Sequence, residues 1–215
     1  MSRTRQAVVQ SKQQEQVVKE STMRHLPTLC AVALLAGCTT MADTLHGSLT
    51  PPAGLGYAVF SMTVRTYNPG YATANLSWRG LDNGQHGIVY ANFGTDTVFG
   101  EEGMTPVDGK LQMLALPPGR YQLQTGYARW NDDPGDDLVF NYKGYASFRL
   151  DKPFEVRTGE TVYLGQLRFN LDYRPDVEFV DEQKRDFGHM RRVWKINDLS
   201  AIRLQPFSGK AGRSN

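Results

Sequence analysis

Imidazole and carboxylate groups are the first side chains to consider for catalysis in this 215-residue sequence. Three histidines follow residue 38: His46, His86 and His189. None belongs to a His-Glu-x-x-His pattern, and the sequence has neither Cys-x-x-Cys nor Gly-x-Ser-x-Gly. Those spacings place metal ligands or an activated serine, and a hydrolase needs one or the other. We therefore expect a non-enzymatic protein without a metal or cofactor.

Carboxylates are concentrated in residues 131–137, Asn-Asp-Asp-Pro-Gly-Asp-Asp. Their oxygens could surround Ca²⁺, but the spacing of an EF-hand loop is missing. Asp, Pro and Gly in this order favour a solvated hairpin tip instead. The four carboxylates remain candidates for ligand contact: Asp132, Asp133, Asp136 and Asp137.

Aromatic side chains are also plentiful, and tyrosine and tryptophan combine a flat apolar face with a polar tip. Such residues usually fill a core or its rim, although they can also stack on sugar rings. The candidates are Tyr57, Tyr67, Tyr71, Trp78, Tyr90, Tyr127, Trp130, Tyr142, Tyr145, Tyr163, Tyr173 and Trp194. Trp130 and Tyr127 precede the acidic segment at the end of a predicted strand, so they are the predicted ligand-binding aromatics.

One helix is predicted near the C-terminus, over 181–195 with Asp181 as its N-cap. Its apolar face holds residues at i, i+3 and i+7: Phe187, Met190 and Trp194. Three cations lie within ~40° on the neighbouring flank: Lys184, Arg191 and Lys195. This flank could contact lipid phosphates. The alternative is a solvated face in which Asp181 pairs with Lys184 or Arg185.

The N-terminal third contains an export pattern. An apolar run over 26–36 follows Met23-Arg24-His25 and ends in Leu35-Ala36-Gly37-Cys38. Its eleven residues would rise only ~16 Å as a helix, about half of a bilayer core of ~30 Å. A signal sequence therefore fits better than a membrane span.

Residues Leu35 to Cys38 resemble the lipobox of bacterial lipoproteins. The resemblance implies a diacylglycerol on the Cys38 sulfur and cleavage between Gly37 and Cys38. Thr39 follows where an Asp would imply retention at the inner membrane, so the expected location is the outer membrane, with the domain in the periplasm. The alternative is an ordinary cleaved signal in which Cys38 is incidental. Residues 1–22 are glutamine-rich and serve no signal, so translation is expected to start at Met23.

Cleavage would leave residues 38–215, long enough to bury one substantial core. Residues 1–37 hold five basic and two acidic side chains, so 19 basic and 20 acidic ones remain. A near-neutral domain lacks the basic surface that nucleic acid needs. We expect a tether over 38–53, one domain over 54–207 and a disordered tail over 208–215.

Period-two alternation dominates the domain and predicts strands. One face of 55–66 carries Ala58, Phe60, Met62 and Val64, and one face of 71–79 carries Ala72, Ala74, Leu76 and Trp78. An Asn-Pro-Gly turn between them predicts a hairpin. Further strands are predicted at 87–93, 110–116, 121–130, 138–150, 153–157, 161–171 and 201–207.

Residues 116–123, Leu-Pro-Pro-Gly-Arg-Tyr-Gln-Leu, are similar to a strand entry of transthyretin-like and carboxypeptidase-regulatory-like sandwiches. There a Pro-Gly turn precedes a strand with an inward aromatic and aliphatic pair, here Tyr121 and Leu123. The predicted fold is mainly β: a single antiparallel β-sandwich of about seven to nine strands with one C-terminal helix.

Three functions agree with these patterns. The first is a lipid-anchored, non-enzymatic adaptor domain that binds another envelope protein. The second is a glycan- or peptidoglycan-binding module that uses exposed aromatics. The third is a structural envelope lipoprotein with no specific ligand.

Overall fold

The structure, a computed structural model, describes residues 40–131 and 143–214. It is mainly β, as predicted, with two sheets and few helices. In chain order the elements are α1 (Met41–Leu45), β1 (Gly56–Arg65), a 3-10 turn (Pro69–Tyr71), β2 (Thr73–Gly80), β3 (His86–Asn92), β4 (Thr97–Val98), β5 (Val107–Leu116), β6 (Gly119–Asn131), β7 (Lys143–Val156), β8 (Thr161–Asn170), β9 (Asp176–Val180), α2 (Gln183–Arg192), β10 (Arg203–Leu204) and β11 (Gly209–Gly212). Within these two ranges, no helix has both the length and the apolarity that a bilayer crossing requires.

The chain divides into two units after Thr44. In the first unit, Thr40 and Asp43 cap α1 reciprocally: the Thr40 N–H donates to the Asp43 carboxylate at 3.0 Å, and the Asp43 N–H donates to the Thr40 hydroxyl at 3.2 Å. In the second unit, Leu49 is buried and its carbonyl accepts a bond from the Thr161 hydroxyl at 3.0 Å. The segment predicted as a tether therefore includes a helical turn and residues packed on the domain.

The strands form a seven-stranded and a four-stranded sheet. The larger sheet has the order β11-β9-β8-β1-β5-β4, with β10 paired to β8. It is mixed rather than purely antiparallel, because β1 and β10 both run parallel to β8. The smaller sheet has the order β3-β2-β6-β7, and all its pairs are antiparallel.

One cluster of buried hydrophobic side chains takes its members from both sheets. Phe60 of β1 and Phe169 of β8 come from the larger sheet, and Leu76 of β2 and Phe148 of β7 from the smaller one. The Phe148 and Phe169 rings meet edge to face with centroids 5.9 Å apart. The alternating apolar faces predicted for β1 and β2 both point into this cluster.

The predicted hairpin between β1 and β2 is wrong. β1 pairs with β5 and β8, whereas β2 pairs with β3 and β6 in the other sheet. The connection 66–72 therefore crosses between sheets. Two alternating strands joined by a short turn can face each other across a core as well as lie side by side, and here each strand has two other partners.

Other elements differ in extent from the predictions. The described part of the predicted strand 138–150 and most of the predicted strand 153–157 belong to one strand, β7 (Lys143–Val156), which continues through the left-handed Asp151 (φ 47°). Residues 208–215 were expected to be disordered, but Gly209–Gly212 forms β11 on the edge of β9. The strands β4, of two residues, and β9, of five, were not predicted.

Helix α2 lies within the predicted range 181–195, and Phe187, Met190 and Trp194 are buried as predicted. After the helix, Lys195 adopts a left-handed conformation (φ 60°), and the Ile196 N–H donates to the Met190 carbonyl at 3.1 Å. A left-handed residue soon after the last turn of a helix is a common way for the helix to end.

Candidate binding surface

The outer face of the four-stranded sheet carries exposed aromatic side chains. Because side chains alternate along a strand, Ala91, Ala128 and Ala146 point into the core while their neighbours Tyr90, Tyr127 and Tyr145 point outward. These three tyrosines are 47%, 41% and 63% exposed. We call their surface the tyrosine face.

Strand register brings the tyrosine face together. Asn75 of β2 lies opposite Tyr90 on one side and opposite Tyr127 on the other. Two strand spacings therefore separate Tyr90 from Tyr127, about 10 Å. The Tyr127 and Tyr145 rings are stacked, with centroids 6.3 Å apart and an interplanar angle of 27°. The exposed Asn75 thus lies between aromatic side chains on both sides.

A cleft of about 480 Å³ opens at one end of this face. Within the sheet, Thr73 of β2 lies at the centre of the cleft, because the cross-strand partners of Thr73 are Asn92 of β3 and Arg129 of β6. The described residues that line the cleft are Gly70, Tyr71, Thr73, Tyr90, Asn92, Arg129, Trp130 and Asn131. We call it the Thr73 cleft. It combines two exposed tyrosines with hydroxyl, amide and guanidinium groups.

The wall of the Thr73 cleft at Tyr71 is held by backbone contacts. The Phe93 N–H donates to the Ala72 carbonyl at 3.0 Å, so the turn after β3 is bonded to the segment before β2. A Cβ on Gly94 would lie 2.6 Å from the Gly70 oxygen, a distance that only glycine permits. The position of Tyr71 is therefore fixed by the fold rather than by a free loop.

Two polar side chains of the cleft, Arg129 and Asn92, have hydrogen-bond donors available for a ligand. Among the residues that the structure describes, Arg129 has neither an ion pair nor a hydrogen bond through its side chain. The Asn92 Oδ1 accepts from the Gly94 N–H at 3.1 Å, which orients the amide and leaves its Nδ2 as a donor. A polar ligand could thus gain bonds here without displacing existing partners.

The residues predicted to bind a ligand do not share one environment. Tyr127 is exposed and lies on the tyrosine face. Trp130 is 2% exposed, and a Cβ on Gly144 would lie 2.3 Å from its indole, so the ring packs in the core and forms only an inner wall of the cleft. Asp132, Asp133, Asp136 and Asp137 lie outside the described residues, as do Gly37 and Cys38 with the predicted lipid anchor.

A bulge in β6 explains why Trp130 is inside. Strict alternation from Tyr121 would place Trp130 outward and Tyr127 inward. The pairing of β6 with β2 and with β7 shifts between Leu123 and Thr125, and a bulge of this kind exchanges the two faces beyond it. Sequence alternation found the strand but could not show this exchange.

A second group of polar residues lies between α2 and the larger sheet, and it is closed to solvent. Asp186 is fully buried and Arg185 is 5% exposed. The Asp186 Oδ2 accepts from the Ser61 hydroxyl and from the Tyr163 hydroxyl, both at 2.7 Å. Its Oδ1 accepts from Arg185 Nε and Nη2 at 2.9 and 2.6 Å, and Arg185 Nη1 donates to Gln166. We call these five residues the Asp186 network.

Burial raises the pKa of Asp186, while the Arg185 charge and the hydroxyl donors oppose that rise. Burial, together with the Asp186 charge, also raises the pKa of Tyr163. Every described partner of the carboxyl oxygens is a donor, an arrangement suited to a carboxylate. The network ties α2 to β1 and β8, and no substrate reaches it while the helix is in place.

His189 belongs to the same side of the molecule. Its Nδ1 accepts a bond from the Phe99 N–H at 3.0 Å, and its ring stacks on Phe99 at 6.1 Å. Burial, followed by the charges of Arg185 and Arg192, lowers the pKa of His189 to about 4. The imidazole is therefore neutral at pH 7 and fastens α2 to the segment after β4.

The predicted basic flank is exposed at Lys184, Arg191 and Lys195. Arg191 pairs with Glu101 at 2.5 Å, so one of its three charges is directed at the protein itself. Arg192 donates to the Gly100 carbonyl at 2.9 Å. In residues 40–131 and 143–214, there is no group of three His, Cys, Asp or Glu side chains placed to hold a metal ion.

Comparison with known proteins adds little. No family model matches the chain, and no curated protein matches it. Among solved structures, a leucine-rich repeat protein from Bacteroides thetaiotaomicron matches with 9% identity and a TM-score of 0.33. The match covers 55% of this chain and 14% of that protein.

Proposed function

We propose that this protein is a lipid-anchored lipoprotein of the bacterial outer membrane whose domain binds another envelope component without catalysing a reaction. The proposal also takes the two sheets to be the layers of one sandwich, since buried side chains of both belong to one cluster. The anchor rests on the sequence around Cys38.

The observation that carries the binding role is the tyrosine face with its adjoining cleft. Tyr90, Tyr127 and Tyr145 expose large aromatic surfaces on a rigid sheet rather than on loops. Aromatic side chains in this setting lose little conformational entropy on binding and are common anchors of recognition sites. On the polar side of α2, by comparison, Arg191 already pairs with Glu101 and Arg192 donates to the Gly100 carbonyl.

Photo-crosslinking in intact cells tests this proposal. A photoreactive residue at Asn75 lies between Tyr90 and Tyr127, and a matched probe at the exposed Lys184 lies on α2. We expect the Asn75 probe to capture one envelope component that the Lys184 probe does not. Capture should fall in a Tyr90→Ala, Tyr127→Ala background. Equal, nonspecific capture by both probes would contradict the binding role.

A further inference from the structure

We propose that the Thr73 cleft binds a neutral oligosaccharide, one sugar ring of which packs against Tyr71 and Tyr90. This inference rests on the proposed function and names the class of its ligand. Tyr71 and Tyr90 are 59% and 47% exposed, and both line the cleft. An aromatic ring offers the carbon-bound hydrogens of a pyranose a flat apolar partner.

The polar lining fits sugar hydroxyls. Arg129 presents donors only, the Asn92 amide retains its Nδ2 as a donor, and the Thr73 hydroxyl can donate and accept. Hydroxyl oxygens accept such bonds and hydroxyl hydrogens return them, whereas a purely apolar ligand would leave the guanidinium without a partner. An aromatic surface beside a few convergent polar groups is the composition expected of a small-ligand site.

The ligand should be neutral rather than acidic. Among the described residues that line the cleft, Arg129 alone is charged. In the sequence, the strand that carries it leads directly into four carboxylates, at positions 132, 133, 136 and 137. A single cation close in sequence to several anions does not favour an anionic ligand.

The ligand should also extend beyond one sugar. The row Tyr90, Asn75, Tyr127 continues the aromatic surface across the sheet, and Tyr145 stacks on Tyr127. A chain held at Tyr90 can therefore meet a second aromatic surface about 10 Å away. Asn75, between the two tyrosines, offers an amide to the sugars between them.

The test measures binding of defined tetrasaccharides to the full-length protein purified in detergent. Neutral probes are β-1,4-linked N-acetylglucosamine, β-1,4-linked glucose and α-1,4-linked glucose, and the acidic probe is a hyaluronan tetrasaccharide. Calorimetry up to about 10 mM covers a weak site, for which the Kd is on the order of 1 mM. We expect at least one neutral tetramer to bind and the acidic one not to bind.

Variants then locate the site. Tyr90→Ala should weaken binding about fivefold to tenfold, since one stacking surface is lost. Tyr67→Ala is the matched control: Tyr67 is 82% exposed but does not line the cleft, so its affinity should change less than about twofold. Arg129→Met keeps most of the aliphatic part of the side chain, removes the guanidinium donors and should weaken binding even if Tyr90→Ala fails to fold.

Three results would overturn the proposal: no binding of any neutral tetramer, binding of the acidic tetramer alone, or unchanged affinity in both Tyr90→Ala and Arg129→Met. If no saccharide binds while the Asn75 probe still captures a specific component in cells, the saccharide class is wrong and the binding role stands. If saccharides bind and crosslinking captures nothing, the site exists without the expected partner.

Discussion

Acid should destabilise this protein through His189, and replacing His189 by Asn should remove that effect. The imidazole is 7% exposed, and its Nδ1 must remain unprotonated to accept the Phe99 N–H. Its pKa of about 4 lies below the 6.5 of an unfolded histidine. The unfolded chain therefore takes up a proton at a higher pH than the folded chain does.

The sign and the size follow from that difference. A depressed pKa in the folded state means that stability is complete above pH ~6.5 and falls as the pH drops towards ~4. The full difference of ~2.5 pKa units corresponds to about 3 kcal/mol. Between pH ~7.5 and ~5 the loss is about 2 kcal/mol. Below pH ~4 the folded protein is protonated as well, and the loss stops growing.

Urea unfolding followed by tryptophan fluorescence at the two pH values measures this loss. In His189→Asn, the side-chain carbonyl can accept the Phe99 N–H but cannot titrate. All other titrating groups are common to both proteins, so their contributions cancel in the difference. We expect the wild type to lose about 2 kcal/mol more than the variant on acidification. Parallel losses in the two proteins would refute the assignment of His189 as a buried neutral acceptor.

Three further predictions concern other parts of the chain. Asp186→Ala leaves the buried Arg185 without its carboxylate and should lower the free energy of unfolding by about 3–5 kcal/mol, measured in urea; a loss under 1 kcal/mol would contradict the network. Gly188→Ala places a Cβ 2.3 Å from the Glu101 nitrogen, so a cost of about 1–3 kcal/mol should exceed the ~1 kcal/mol gained in helix propensity. Gly212→Ala, whose Cβ would meet nothing within 4 Å, is its control. Cys38→Ala should abolish labelling with radioactive palmitate in cells and leave the signal uncleaved; unchanged labelling would exclude the anchor.

Features that depend on neighbouring residues could be predicted from the sequence. The apolar spacing of Phe187, Met190 and Trp194 predicted α2, because residues at such spacings share one helix face. Phe187 and Met190 lie in α2, and Trp194 is buried two residues beyond its end. The alternation in residues 161–171 predicted β8 (Thr161–Asn170), because alternation along a strand also depends only on neighbouring residues. Each of these patterns spans only two or three turns of helix or one strand.

Features that depend on distant partners could not be predicted. The same alternation allowed β1 to pair with β2 or to lie across the core from it, and only contacts with β5 and β8 decide between the two. The network around Asp186 joins Ser61 to a residue 125 positions away. Nothing in the sequence next to Asp186 shows that Ser61 and Tyr163 face it.

Polar side chains that form hydrogen bonds within the fold contribute to stability, whereas polar side chains without such bonds are available to a ligand. Ser61, Tyr163 and Arg185 direct their hydrogen bonds at Asp186, so a ligand there would have to break bonds before making any. Arg129 makes no such bond within the described residues, so a ligand gains its donors at little cost.

Variants should therefore separate the two properties. Asp186→Ala should lower the stability and leave the saccharide affinity of the folded fraction intact. Arg129→Met should lower the saccharide affinity and leave the stability intact. If Asp186→Ala changed affinity in protein shown to be folded, the network and the cleft would be coupled, and the tyrosine face would not be an independent site.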